Sequence, residues 1–128
     1  MIPDSHIDLV KGVSFAHVAT IGPEGEPQSS PVWIDGDATT VKFSQTTSRQ
    51  KYRNMQRDPR IAMSMIDLEN PYRYVEVRGR VVDISDDEDN RFIDSLTKKY
   101  MGKESYPFHQ PGDQRVVVTV EVEHTTRM

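Results

Sequence analysis

The sequence contains no cysteine. That excludes a disulfide framework, a thiolate nucleophile and a thiolate metal site, and it fits a reducing, cytoplasmic setting. No apolar run approaches the ~20 residues that a membrane span requires, so no membrane partner is expected. The N-terminal stretch MIPDSHIDLVKG lacks the basic start and apolar centre of a secretory signal. Positive charge is in deficit: 16 Lys and Arg stand against 20 Asp and Glu, for a net charge of −4. General nucleic-acid binding is therefore not expected, because phosphate backbones demand a cationic surface. Glycine-rich phosphate loops and G-x-S-x-G elbows are absent. The histidines His6, His17, His109 and His124 show no metal-ligand spacing. The acidic run Asp86-Asp87-Glu88-Asp89 lacks the spacing and glycine of a calcium loop and suits a helix N-terminus instead. No metal site and no catalytic side chain can be nominated, so any redox chemistry would be carried by a cofactor.

What is present is a turn-rich chain of 128 residues, 35% hydrophobic and 28% charged, the size of a single domain spanning residues 1–128. A short helix is expected within Met1–Lys11, with Asp4 or Ser5 as its N-cap. Six strands follow from alternation and turn signals: Ser14–Ile21, Pro27–Ile34, Thr39–Gln45, Arg60–Asp67, Tyr72–Ile84 and Arg115–Thr125. Pro31 cannot donate to a ladder, so its strand belongs at an edge, at a bulge or against something other than a neighbouring strand. Gly79 marks a bend or bulge in the long fifth strand. The Ser48–Arg57 segment changes to helical period and stops at Asp58-Pro59. Ser85 and Glu88 form a capping box opening a helix with Phe92, Ile93, Leu96 and Tyr100 on one face, closed by Gly102. Strands with few helices between them argue against βαβ winding. The expected fold is mainly β (α+β): a six-stranded antiparallel split barrel with short flanking helices.

One local feature stands out from this background. Between Ala38 and Arg57 lie five cations (Lys42, Arg49, Lys51, Arg53 and Arg57) and no carboxylate. They gather at the start of a predicted helix, behind Thr46, Thr47 and Ser48. Positive side chains oppose the dipole at a helix N-terminus, whereas anions are attracted by it and by the unpaired amides there. The hydroxyls, amides, Arg49 and Lys51 together describe a phosphate site. A solvated basic helix face, with Ser48 as an ordinary N-cap, is the alternative reading.

Two stretches carry a family resemblance: G-E-P-Q-S-S-P-V-W from Gly25 to Trp33, and S-R-x-K-x-x-N-x-x-x-D-P-R from Ser48 to Arg60. In combination they resemble the pyridoxamine-phosphate-oxidase-like split barrels, and in particular their deazaflavin (coenzyme F-420)-dependent branch. The resemblance extends over nearly the whole chain. It implies a homodimer with cofactor at the subunit interface. Gln28, Ser29, Ser30, Pro31, Val32 and Trp33 would run along a tricyclic ring, which would explain Pro31. Thr46, Thr47, Ser48, Arg49, Gln50, Lys51 and Asn54 would hold the phosphate. A second subunit would contribute residues near Tyr72 and Tyr74, together with the Pro107–Gln110 loop. FMN-using relatives usually carry an arginine near the position of Ser29 or Ser30. Its absence, with the extra charge of Arg53 and Arg57, favours the deazaflavin over FMN. The implied activity is an oxidoreductase moving a hydride between the reduced cofactor and a small conjugated acceptor. An FMN-dependent oxidase or reductase, or a non-catalytic cofactor-binding protein, are the alternatives.

Overall fold

The computed structural model describes residues Met1–Met128. Seven strands form one antiparallel sheet: β1 (Ala16–Ile21), β2 (Pro27–Val32), β3 (Ile34–Gly36), β4 (Thr40–Thr46), β5 (Arg60–Ile66), β6 (Tyr74–Asp86) and β7 (Arg115–Arg127). Three short helices accompany them: α1 (Asp8–Lys11), α2 (Gln50–Arg57) and α3 (Arg91–Met101). The two-residue period decides which face is buried. Val41 and Phe43 point inward while Lys42 between them is exposed, and Val116, Val118 and Val120 do the same on β7. Ala16, Val18, Met63, Met65, Val75 and Val77 complete the concave core. Each such side chain contributes about 1.5–3 kcal/mol on leaving water.

The strand order is β2-β1-β5-β6-β7-β4-β3. The two edges of the sheet are thus consecutive in sequence, separated only by Trp33. The chain crosses from one edge to the other at that residue and curls the sheet into a split half-barrel. This crossing also explains why seven strands form where alternation predicts six. The run Pro27–Ile34 does not stay in one ladder: β2 pairs with β1, whereas Ile34, Asp35 and Gly36 pair with Phe43, Lys42 and Val41. Pro31 sits on the edge strand, opposite His17, as its missing N–H requires. Beyond Phe43, Ser44–Thr46 pair with β7 alone. A seam is left between β2 and this end of β4.

The helices depart from expectation at their caps. The first eleven residues form a 3-10 turn, Asp4–His6, and then the single turn α1. Pro3 precedes the 3-10 turn, no side chain caps it, and Ser5 Oγ pairs instead with His6 Nδ1 at 2.8 Å. The capping box of Ser85 and Glu88 does not form, because β6 continues through Ser85, which pairs with Val117 of β7. Asp87 takes over: its carboxylate accepts the Phe92 and Ile93 amides at 2.8 and 2.9 Å. Ile93 and Leu96 are buried as predicted, and Gly102 closes α3 at φ +71°.

Candidate functional site

The seam between β2 and β4 is a continuous groove with a polar end and an apolar end. The polar end, about 540 Å³, is walled by Gln28–Val32 of β2, Ser44–Thr46 of β4, and Arg49, Gln50 and Lys51 at the start of α2. The apolar end, about 310 Å³, is walled by Phe15, Val32, Trp33, Ile93, Leu96 and Phe108. Pro31, Val32, Ser44, Tyr106 and Arg115 belong to both walls, so one ligand can span them.

At the polar end the electrostatics are unbalanced. Lys51 Nζ donates to Ser30 Oγ at 2.7 Å and lies 5.7 Å from the centre of the buried Phe43 ring. Burial, reinforced by the neighbouring Arg49 charge, pushes the Lys51 ammonium down to about 8. No carboxylate lies within 4.0 Å of Lys42, Arg49, Lys51, Arg53 or Arg57, although eight other ion pairs form in the chain. α2 has no acidic residue in its first turn and no side-chain cap. The Arg49 and Tyr52 amides are taken by Thr46 O and Arg49 O, and those of Gln50 and Lys51 are free to meet an anion.

Beneath this end lies Asn54, fully buried. Its Nδ2 donates to Thr20 Oγ1 at 3.1 Å and to Gln28 Oε1 at 2.8 Å, and its Oδ1 accepts from Gln50 Nε2 at 2.9 Å. Asn54 does not line the groove but locks α2 against β1 and β2, and so fixes where Gln50 and Lys51 stand. Asn54→Ala is expected to destabilise the chain by about 2 kcal/mol, the scale for stranding buried polar partners. A chemical-denaturation curve measures this directly.

At the apolar end Trp33 stacks on Tyr100 (5.1 Å between centroids, 12° between planes). The Tyr100 hydroxyl accepts the Ile34 amide at 3.0 Å and donates to Ser14 O at 2.6 Å. Lys99 Nζ donates to Ile34 O at 2.8 Å and Val10 O at 2.7 Å. α3 thereby clamps the backbone just after Trp33, where the chain changes edges. The stretch after α3 folds back so that Tyr106 stands edge-on to Trp33 at 6.0 Å. Asp94 Oδ1 accepts the Tyr106 amide at 2.9 Å and holds it there.

Of the residues nominated from sequence, Gln28, Ser29, Ser30, Pro31, Val32, Thr46, Arg49, Gln50 and Lys51 converge on the polar end, and Trp33 on the apolar end. Thr47 and Ser48 stay off the wall: the Thr47 amide donates to Gln114 O and Ser48 O accepts from Arg53. Tyr72 and Tyr74 lie away from the groove, Tyr72 in the turn before β6 and Tyr74 at the strand's first position, where it pairs with Ile66. Phe108, from the loop assigned to a second subunit, lines the groove of its own chain. Phe15, Thr20, Ser44, Gln45, Tyr106 and Arg115 went unnoticed in the sequence: Ser44 and Gln45 lie within the cation-rich stretch but carry no charge, and the others sit in no charge cluster or spaced motif. The sheet formed by β1, β4 and β7, together with the stretch after α3 that folds back over it, brings them to the seam.

Comparison with known proteins places the fold in a family. The family model described as pyridoxamine 5'-phosphate oxidase matches residues 2–128. An F420 reductase of known structure is 38% identical, with a TM-score of 0.88 and 98% of both chains covered. The conserved hypothetical protein Rv2991 of Mycobacterium tuberculosis is 22% identical, with a TM-score of 0.76, covering 99% of this chain and 84% of its own. HupZ of Group A Streptococcus is 21% identical, with a TM-score of 0.71, covering 100% and 94%. These last two share the fold. No curated protein matches. The chain belongs to the pyridoxamine 5'-phosphate oxidase family.

Proposed function

We propose that this protein is an oxidoreductase that holds a phosphorylated tricyclic cofactor along the seam, coenzyme F-420 in preference to FMN. One observation carries the reading. A half-buried cation without a carboxylate partner, Lys51, stands with Arg49 at an uncapped helix start, directly beside an apolar compartment. An isolated buried charge is costly, and a bound phosphate offsets that cost. The groove thus matches a ligand that is anionic at one end and flat and apolar at the other. Arg49, Lys51 and the first amides of α2 would hold the phosphate. Ser30 steadies Lys51, and Gln28–Trp33 would flank the ring. Phe15, Ile93 and Leu96 keep water from the apolar end. A reduced deazaflavin would supply a hydride to a conjugated acceptor. A homodimer, in which a second copy brings Tyr72 and Tyr74 to the site, would cover the open side.

The preference for F-420 is supported by its lactyl-glutamyl tail, which FMN lacks, and by the similarity to an F420 reductase. Arg53 and Arg57 are exposed and follow Arg49 along α2 at four-residue steps. Fluorescence titration at two salt concentrations tests the choice. F-420 is expected to bind more tightly than FMN at low salt, and the gap to narrow as salt screens the tail carboxylates. Arg53→Gln or Arg57→Gln should weaken F-420 several-fold and leave FMN nearly unchanged. Equal or tighter FMN binding under both conditions assigns the site to FMN.

A further inference from the structure

We infer that Gln28 is a dedicated hydrogen-bond donor to a phosphate oxygen at the polar end of the groove, its polarity locked by a chain of side-chain amides running through α2. The chain starts at Arg53, whose guanidinium can only donate. Arg53 Nη2 donates to Gln50 Oε1 at 2.8 Å, which leaves Gln50 Nε2 to donate to Asn54 Oδ1 at 2.9 Å. Asn54 Nδ2 then donates to Gln28 Oε1 at 2.8 Å. A side-chain amide has one oxygen and one NH2 group, so each link fixes the orientation of the next. At the end of the chain Gln28 has its oxygen engaged and its Nε2 without an acceptor in the protein. Gln28 is exposed and walls the polar compartment together with Arg49 and Lys51, so a ligand can reach that NH2 group.

Ser30 repeats the arrangement two residues along. The Lys51 ammonium, again a donor only, takes the Ser30 oxygen at 2.7 Å and leaves the Ser30 hydroxyl proton for another partner. Gln28 and Ser30 pair with the buried Thr20 and Val18 of β1, so both side chains stand on the core-facing side of β2. Successive residues of one face are about 7 Å apart. The Asn54–Gln28 and Lys51–Ser30 bonds are therefore neighbouring rungs between α2 and β2, and each uses up the acceptor of a β2 side chain while leaving its donor. Arg49 and Lys51 supply charge at this corner, and Gln28 adds a neutral donor of fixed direction. A phosphate, with several acceptor oxygens, suits such a set. Identifying the oxygen as that of the cofactor's phosphate rests on the function proposed above, in which β2 flanks the ring, whereas the donor polarity of Gln28 rests on the protein's own hydrogen bonds.

Inorganic phosphate is titrated into the cofactor-free chain while the side-chain amides are followed by isotope-edited NMR. The Gln28 NH2 pair is expected to shift saturably, and those of Gln56 and Gln110, which do not wall the compartment, to stay in place. Two substitutions then separate a donor from a mere brace. Gln28→Glu keeps an oxygen for Asn54 but turns a second one to the ligand, whereas Gln28→Met removes both groups. A purely structural role makes Gln28→Met the more damaging to affinity, in step with stability. The donor role predicts the lower melting temperature for Gln28→Met but the weaker FMN and F-420 binding for Gln28→Glu. The expected losses are about tenfold for Gln28→Met and about a hundredfold for Gln28→Glu, while riboflavin, which lacks the phosphate, changes less than about twofold. No shift of the Gln28 pair with phosphate overturns the inference, as does FMN affinity that follows the melting temperatures or is unchanged in both variants. Equal losses for riboflavin and FMN would place the contact on the ring or polyol, and a loss confined to F-420 would place it on the tail; either overturns it. Should Gln28→Met not fold by circular dichroism, the phosphate titration of the unaltered chain and the affinities of Gln28→Glu decide. If neither cofactor binds the unaltered chain while phosphate still shifts the Gln28 pair, the cofactor assignment fails and the donor assignment stands.

Discussion

Replacing Arg49 and Lys51 together by alanine is expected to lower cofactor affinity by about 2–5 kcal/mol, the loss of two charge-assisted contacts to phosphate. The same change should leave the cofactor-free chain as stable as before, or more so. Lys51 is held in a partly desolvated position on Ser30 and over Phe43, with Arg49 beside it and no carboxylate to balance either. Removing both cations relieves that repulsion and the opposition to the α2 dipole. Affinity and stability thus move in opposite directions, which an ordinary structural role for these residues does not produce. Titration and thermal melting of the double variant read the two separately. Unchanged affinity would remove the phosphate site.

The pH dependence follows from the same lysine. Its ionisation is depressed to about 8 in the free chain, and a bound phosphate favours the charged form and raises it. Affinity is therefore greatest below about pH 8, where Lys51 is already protonated. It falls as pH rises from about 8 towards the ligand-bound value. In the free chain the sign is reversed. The folded value lies below the unfolded one, so the burial cost is fully present below about pH 8. Stability then recovers as pH rises towards the ordinary lysine range, near 10.4. Both cofactors carry the phosphate, so the decline in affinity with pH should be common to both and leave their ranking unchanged. In Lys51→Met both slopes should vanish.

Gly79→Ala is expected to destabilise the chain by about 3 kcal/mol or more, lowering the melting temperature by about 10 °C. The pairing of β6 with β7 skips a residue here: Arg78 faces His124, and Gly79 faces Val122. At this bulge the two backbones approach so closely that a Cβ on Gly79 would lie 1.9 Å from the Glu121 carbonyl oxygen. That oxygen belongs to the backbone of a central strand, and nothing flexible can give way. On its other side β7 stays paired, the Val122 amide donating to Thr39 O at 2.9 Å just beyond the Thr40–Glu121 pair of β4. Val82→Ala, three residues along and 49% exposed, serves as a control that should hardly move the melt. A melting temperature for Gly79→Ala equal to that of the unaltered chain would refute the close approach.

Features governed by neighbours along the chain could be read directly from the residues. Alternation placed the strands to within a few residues, because a half-buried strand must repeat every second position. Pro31 narrowed its strand to an edge, a bulge or a non-strand neighbour, Gly79 marked a bend or bulge and Gly102 a helix end, since each is a constraint on the residue's own backbone. The cation cluster from Lys42 to Arg57 marked the polar half of the site, because charge without counter-charge is visible in a linear string. Where a local signal competed with long-range pairing, the pairing won. Ser85 remained in β6 because Val117 was there to meet it, and the cap passed to Asp87. Asn54 was drawn beneath the groove because Thr20 and Gln28, far away in sequence, present the partners that a buried amide needs. Apart from Trp33 and the Phe108 loop, the apolar half was invisible for the same reason. Phe15, Trp33, Ile93 and Tyr106 come from separate elements and meet only when the two sheet edges are drawn together at Trp33. Local backbone sterics and local charge thus set most strand positions, the constraints at Pro31 and Gly79 and the basic helix start. The half-burial of Lys51 without a carboxylate, and the place of Arg115 against Ser44 and Tyr106 between two ends of one groove, came from the tertiary fold alone. Burial and the lack of a partner depend on which distant surfaces meet, and no linear pattern encodes that.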